Sequence, residues 1–134
     1  MREIRSEHIG GLVSLRGVVT RASDIKPSAQ VVCYSCEACG FEVYQTVSGR
    51  QFNPIVECPS RTCQLNKTRG KLFLQVRGSK FAAMQEIKVQ EPPDQVPMGH
   101  CPRTISVIAK GETTRKCSPG DLVTITGCYL PAPH

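Results

Sequence analysis

Tryptophan is absent from the 134 residues, and three tyrosines and four phenylalanines are the only aromatics. Stacking platforms for bases are therefore thinly provided. No apolar run approaches the roughly 20 residues that a membrane-spanning helix needs. Met1 opens no basic-then-apolar signal peptide, since its neighbours Arg2, Glu3 and Arg5 are charged. The Gly-x-x-x-x-Gly-Lys-Ser/Thr loop that cradles nucleotide phosphates is missing. Histidine is scarce, and none of His8, His100 and His134 stands in the His-x-Glu context of a zinc deaminase. His100 beside Cys101 reads as loop chemistry rather than a nucleophilic pair. These gaps point away from catalysis within the chain. Disorder is also excluded, because 40% of the residues are hydrophobic and fall in patterned runs.

Helical periodicity is another absence: no stretch of about twelve residues keeps it. Only Ile4 to Gly11 reads as a helical turn, with Ser6 as its cap. The dominant signal is period two. Strands are expected over residues 12–21, 30–36, 81–90, 104–109 and 122–130, with shorter pieces at 41–47 and 72–76. Gly17 inside the first strand predicts a bulge or sharp coil that lets one long strand serve two sheets. Glu91 to Pro102, with four prolines in twelve residues, excludes a central strand or a helix. Mainly β, then: five strands fit an OB-type barrel with an inserted zinc-ribbon subdomain, or equally a fragment of a sandwich. The expected division is 1–35 and 73–134 for the barrel, and 36–72 for the insertion.

Cysteine is abundant, and five of the eight fall between positions 33 and 63. Cys36-Glu37-Ala38-Cys39-Gly40 forms a knuckle in which two thiolates bend the backbone around one ion. Gly40 then permits the left-handed turn. Cys58 and Cys63 complete a C-x2-C-x18-C-x4-C pattern, whose second pair is wider than the usual zinc form. Four thiolates close a tetrahedral shell with no position for water, which defines a structural ion rather than a catalyst. Cys33-x2-Cys36 is also a C-x-x-C pair, so Cys33 remains an alternative ligand. A disulfide framework and a redox pair are the competing readings, and a framework expects an oxidising compartment. Cys101, Cys117 and Cys128 read as ordinary small hydrophobes.

Lys and Arg number 17 against 11 Asp and Glu, a formal charge of +6. Such a balance biases the chain toward polyanions, although a solvated surface explains it equally. Arg16, Arg21 and Lys26 line the first strand and its exit, while Arg69, Lys71, Arg77 and Lys80 crowd the return from the insertion. Backbone contact, more than base stacking, is the mode these residues suit.

Several segments taken together resemble the minichromosome maintenance (MCM) replicative helicases. They are LVSLRGVVTRASDIKP at 12–27, YSCEACGFEVYQ at 34–45, CPSRTCQLN at 58–66, QVRGSKFAAMQEIKVQE at 75–91, DQVPMGHCPRTISV at 94–107 and SPGDLVTITG at 118–127. The resemblance implies the OB and zinc-binding part of the N-terminal region, a ring tier around DNA whose zinc lobes help join hexamers head to head. It places one structural zinc on Cys36, Cys39, Cys58 and Cys63. It assigns nucleic-acid binding to Arg21 and Lys26, extended to Arg77 and Lys80. It makes the proline-rich segment a loop that couples this tier to the ATPase tier. The implied partners are single- and double-stranded DNA and other MCM subunits, in a heterohexamer and a double hexamer, with no membrane and with the nucleus as the location. The family's helical subdomain and its ATPase module, with its ATP, lie outside these residues. The expectation is therefore a non-enzymatic piece of a longer protein, with Met1 an added start. Two other roles stay open: a structural subunit-contact module with little DNA contact, and a zinc-ribbon RNA-binding protein.

Overall fold

The computed structural model describes residues 1–48 and 52–132. Six strands and one short helix follow in the order β1 (Leu12–Ala22), β2 (Lys26–Cys36), β3 (Glu42–Thr46), α1 (Arg61–Leu65), β4 (Leu72–Gln90), β5 (Thr104–Lys110) and β6 (Leu122–Cys128). Single 3-10 turns lie at Ser6–His8, Pro93–Gln95 and Gly111–Thr113. The first of these is capped from Arg5, whose N–H donates to His8 Nδ1 at 3.0 Å, so Ser6 lies within the turn. Contacts divide the chain into two compact units. One comprises Met1–Lys26 with the chain from Ala83 onward; the other is Pro27–Ala82. Most of β2 and the first half of β4 thus group with the cysteine lobe.

In the first unit every pairing is antiparallel. β1 pairs with β6 from Leu12↔Cys128 to Val18↔Leu122, and its far end pairs with β4 from Val18↔Gln90 to Ala22↔Ile87. β4 carries β5 on its other edge, from Met84↔Lys110 to Gln90↔Thr104. The period-two pattern decides which face is buried. Val19, Ile87, Val89 and Ala109 form the core, with Ile105, Val107, Val123, Ile125, Met1 and Cys117 packed around them. Cross-strand partners Val19 and Val89 are almost wholly buried, at 1% and 0% exposure. Each such side chain contributes about 1.5–3 kcal/mol by leaving water.

Gly17 departs from the expectation. The β1–β6 register runs through it without interruption, Gly17↔Val123, and the bulge lies at Thr20, between Val19↔Val89 and Arg21↔Lys88. Gly17 instead permits close approach. A Cβ there would collide with Val89 Cγ1 and stand 2.7 Å from the Gln90 carbonyl oxygen.

The proline-rich segment is tied at its base. Glu91 N–H donates to the Arg103 carbonyl at 2.9 Å, and Arg103 N–H donates to Glu91 Oε2 at 3.3 Å. Arg2 Nε donates to Glu91 Oε1 at 2.9 Å, and Arg2 Nη2 to the Cys101 carbonyl at 3.1 Å. A buried carboxylate survives only when paired and hydrogen-bonded in this way. Glu91 is 3% exposed, and burial, which opposes ionisation, is outweighed by the Arg103 N–H and the Arg2 guanidinium, so its pKa is lowered.

In the second unit β2 pairs with β3 from Val31↔Thr46 to Ser35↔Glu42. β2 also neighbours β4, where Cys33 N–H donates to Ser79 Oγ at 3.0 Å and Gln75 Nε2 to Ser35 Oγ at 2.8 Å. Val32, Cys33, Tyr34 and Cys36 are its buried residues on β2.

Candidate metal centre

The two cysteine pairs are delivered by different local devices. Cys36 ends β2, and the chain reverses at once: Gly40 N–H donates to the Cys36 carbonyl at 3.0 Å and Cys36 N–H to the Phe41 carbonyl at 2.9 Å. Gly40 has φ +69°, the left-handed conformation that a side chain resists, and this reversal brings Cys39 back toward Cys36. The second pair is spaced by four residues because a helical start lies inside it. Ser60 Oγ accepts from Thr62 N–H at 3.3 Å and caps α1, and the first turn carries Cys63 inward. The Glu57↔Lys71 bridge and the bond from Glu37 N–H to the Lys71 carbonyl at 3.1 Å hold the two arms together.

The four Sγ atoms of Cys36, Cys39, Cys58 and Cys63 lie within 4.8 Å of one another. Cys36 and Cys63 are 3.8 Å apart, and Cys39 and Cys58 are 3.6 Å apart. A tetrahedron with metal–sulfur bonds of about 2.3 Å has edges of about 3.8 Å. The donor set thus has the size of one tetrahedral ion.

Electrostatics favour the same occupant. A hydrogen bond from the Phe41 backbone brings the Cys39 thiol down to about 7 against the pull of burial, and the neighbouring thiols help. Cys63 is pushed up to about 12, first by its interaction with the Cys39 thiol and then by burial, and burial raises Cys58 as well. Four adjacent thiols cannot all ionise without a cation among them. A divalent soft-ligand ion reverses that, since coordinated thiols deprotonate outright.

Cys33 is buried elsewhere: its Sγ would lie 2.9 Å from a Cβ on Gly78, and it is not part of the quartet. Sequence reasoning missed Gly70. A Cβ there would run into Cys36 Sγ and stand 3.2 Å from both Cys63 Sγ and Cys58 Cβ, so the glycine is a wall of the site. Its only signal in the sequence is a lone glycine between Arg69 and Lys71, where the insertion returns to a strand.

The four basic residues expected at a polyanion surface are all exposed. Arg21 and Lys26 belong to the first unit, at the end of β1 and the start of β2. Arg77 and Lys80 lie on the β4 segment of the second unit. None of the four is in an ion pair among the described residues, where the pairs are Arg2–Glu91 and an exposed Arg69–Glu57 contact of 3.8 Å.

An antiparallel β domain interrupted by a four-cysteine lobe defines the class: a β module carrying a knuckle whose four sulfurs could hold one metal ion. The family model described as the MCM OB domain matches residues 1–133, and the chain belongs to that family. It is 52% identical over 134 residues, all of its length, to the DNA replication licensing factor MCM7 of Oryza sativa subsp. indica. It is 47% identical over 134 residues to the mcm7 protein of Schizosaccharomyces pombe and 32% identical over 133 residues to the mcm-6 protein of Caenorhabditis briggsae. The identity is higher to the two MCM7 relatives than to the mcm-6 relative. The chain spans 16–18% of the length of these three relatives.

Proposed function

We propose that the chain is the non-catalytic DNA-binding and hexamer-assembly module of an MCM replicative helicase subunit. In the intact complex it serves replication licensing, initiation and fork unwinding in the nucleus, with other MCM subunits as partners in a heterohexamer and a head-to-head double hexamer. The ATP-dependent unwinding belongs to the whole subunit. The single observation carrying this reading is the match to the MCM OB domain across residues 1–133. Cys36, Cys39, Cys58 and Cys63 hold one zinc ion, which supplies a closed cross-link and no open coordination position. The zinc-binding insertion is residues 36–72. Arg21 and Lys26, with Arg77 and Lys80, meet the phosphate backbone.

Two measurements test it. Native mass spectrometry should find one zinc per chain. Affinity for a single-stranded oligonucleotide should fall with salt, the slope of log K against log salt being about −0.7 for each phosphate contacted. Arg21→Ala and Lys26→Ala should each weaken binding and flatten that slope. A slope near zero with both variants silent favours the structural subunit-contact role. The exposed apolar side chains of the second unit, Phe41, Tyr44, Phe73, Leu74 and Val76, are the observation that supports that second reading.

A further inference from the structure

Gln85 and Glu91 are buried polar side chains of the first unit. Glu91 ties the base of the proline-rich segment. Gln85, 7% exposed on β4, ties two other loops. Its Nε2 donates to the Ser23 carbonyl at 2.9 Å, and its Oε1 accepts from Arg115 N–H at 3.0 Å. One planar group thus joins the connection after β1 to the loop between β5 and β6. A carbonyl on one side and an N–H on the other decide which end of the amide faces which. An apolar side chain of similar size makes neither bond.

Both loops are unusual at the point where Gln85 grips them. β1 leaves its ladder at Ser23. Ser23 N–H still donates to the Glu86 carbonyl at 2.8 Å, but Glu86 N–H goes to Ser23 Oγ at 2.9 Å. The hydroxyl stands in for the ladder acceptor, and the Ser23 carbonyl turns to Gln85. Arg115 has φ +64°, a left-handed conformation that a residue other than glycine keeps only when its surroundings hold it. The same loop is stitched to β1 farther along. There Gly120 N–H donates to the Val19 carbonyl at 2.7 Å, and Val19 N–H to the Asp121 carbonyl at 2.9 Å. Arg21 stands two residues before Ser23 and Lys26 three residues after it. The connection held by Gln85 is therefore the one that spaces these two cations.

We infer that Gln85, acting through Ser23, is a positioning residue for Arg21 and Lys26. It fixes the exit of β1 against the β5–β6 loop, so the two cations are spaced before a nucleic acid arrives. This rests on the DNA-binding reading above and adds to it a buried residue that touches no phosphate. Ordering a loose connection at the moment of binding costs entropy, which the brace removes.

The test compares wild type with Gln85→Met, Ser23→Ala and the double variant. The first readout is backbone amide relaxation by NMR. Gln85→Met should lower the order parameters of Asp24, Ile25 and Arg115 together, while the β1–β6 amides keep theirs. Unchanged order in either loop overturns the brace. The second readout is fluorescence anisotropy of a labelled oligothymidylate at several salt concentrations. Both single variants should bind about five- to thirtyfold more weakly at every salt, the entropy of one loosened backbone residue. The slope of log K against log salt should not change. Loss of a phosphate contact would flatten it by about 0.7, and that result would make Gln85 a contact and overturn the positioning role. The double variant should lose less than the product of the single losses, because both release one connection; a loss equal to the product overturns the action through Ser23. Wild-type affinity in Gln85→Met with both loops loosened, whatever its melting temperature, overturns the positioning role and leaves the DNA-binding reading standing. Failure of wild type to bind at any salt overturns that reading and the positioning role with it.

Discussion

At Gly70 the chain passes within reach of three members of the quartet, and a methyl group there would displace the Cys36 sulfur. Gly70→Ala should therefore weaken metal affinity, by roughly ten- to a hundredfold if it matches substitutions in the surroundings of other metal sites. Competition against a calibrated chelator measures this, and unchanged affinity would remove Gly70 from the site. A second prediction concerns Glu91. Its carboxyl ionises more readily folded than unfolded, so the Arg2–Glu91 pair adds stability above the ordinary carboxylate value of about 4.3. That contribution is lost as pH falls through the lower folded value. Urea titrations of wild type and Glu91→Gln should show a stability gap at neutral pH that closes in acid. A gap independent of pH would mean that the carboxylate charge is not what ties the loop. Neither residue announces itself in the sequence. The cysteine spacing is a local pattern and was legible, whereas Gly70 is fixed by a contact with Cys36 and Glu91 by a partner at position 2.

β4 illustrates what a strand pattern reveals and what it conceals. Alternation over 81–90 correctly separates buried Ile87 and Val89 from exposed Glu86 and Lys88. The same pattern breaks between 76 and 81, so residues 72–76 read as a separate piece, yet the strand runs unbroken from Leu72 to Gln90. Gly78 is the reason: it continues the strand while leaving room for Cys33, which a Cβ would crowd at 2.9–3.1 Å. α1 was invisible because five residues are too few for a helical period, and only Ser60 marks its start. The third prediction follows from the faces. Ile87→Ala removes a core side chain and should cost about 2–5 kcal/mol. Ile108, opposite Glu86 on the other face and 41% exposed, should cost about 0.5 kcal/mol or less when changed to alanine. Equal losses in denaturant unfolding would show that the inward and outward faces have been misassigned.

The two units draw their stability from different sources. The first has a cluster of four buried apolar residues on paired strands, with six more packed against them. The cluster at the centre of the cysteine lobe consists of Cys36, Cys58 and Cys63, with Cys39 and Leu72 beside them. Thiols that repel one another when ionised make a poor core, and a metal bound only by the folded lobe would supply that missing stability as binding energy. Hydrogen exchange should therefore separate the units on chelation. The amides of Glu37, Gly40 and Thr68, which bond within the lobe, should lose protection. Amides in the β1–β6 and β4–β5 pairings should keep theirs. Cys36→Ser should reproduce the chelated pattern even with metal present, whereas Cys117→Ser, a change at the margin of the first core, should leave lobe protection intact. Lobe amides that stay protected in excess chelator would mean that packing alone holds the four sulfurs at 3.6–3.8 Å, and that the ion is a passenger.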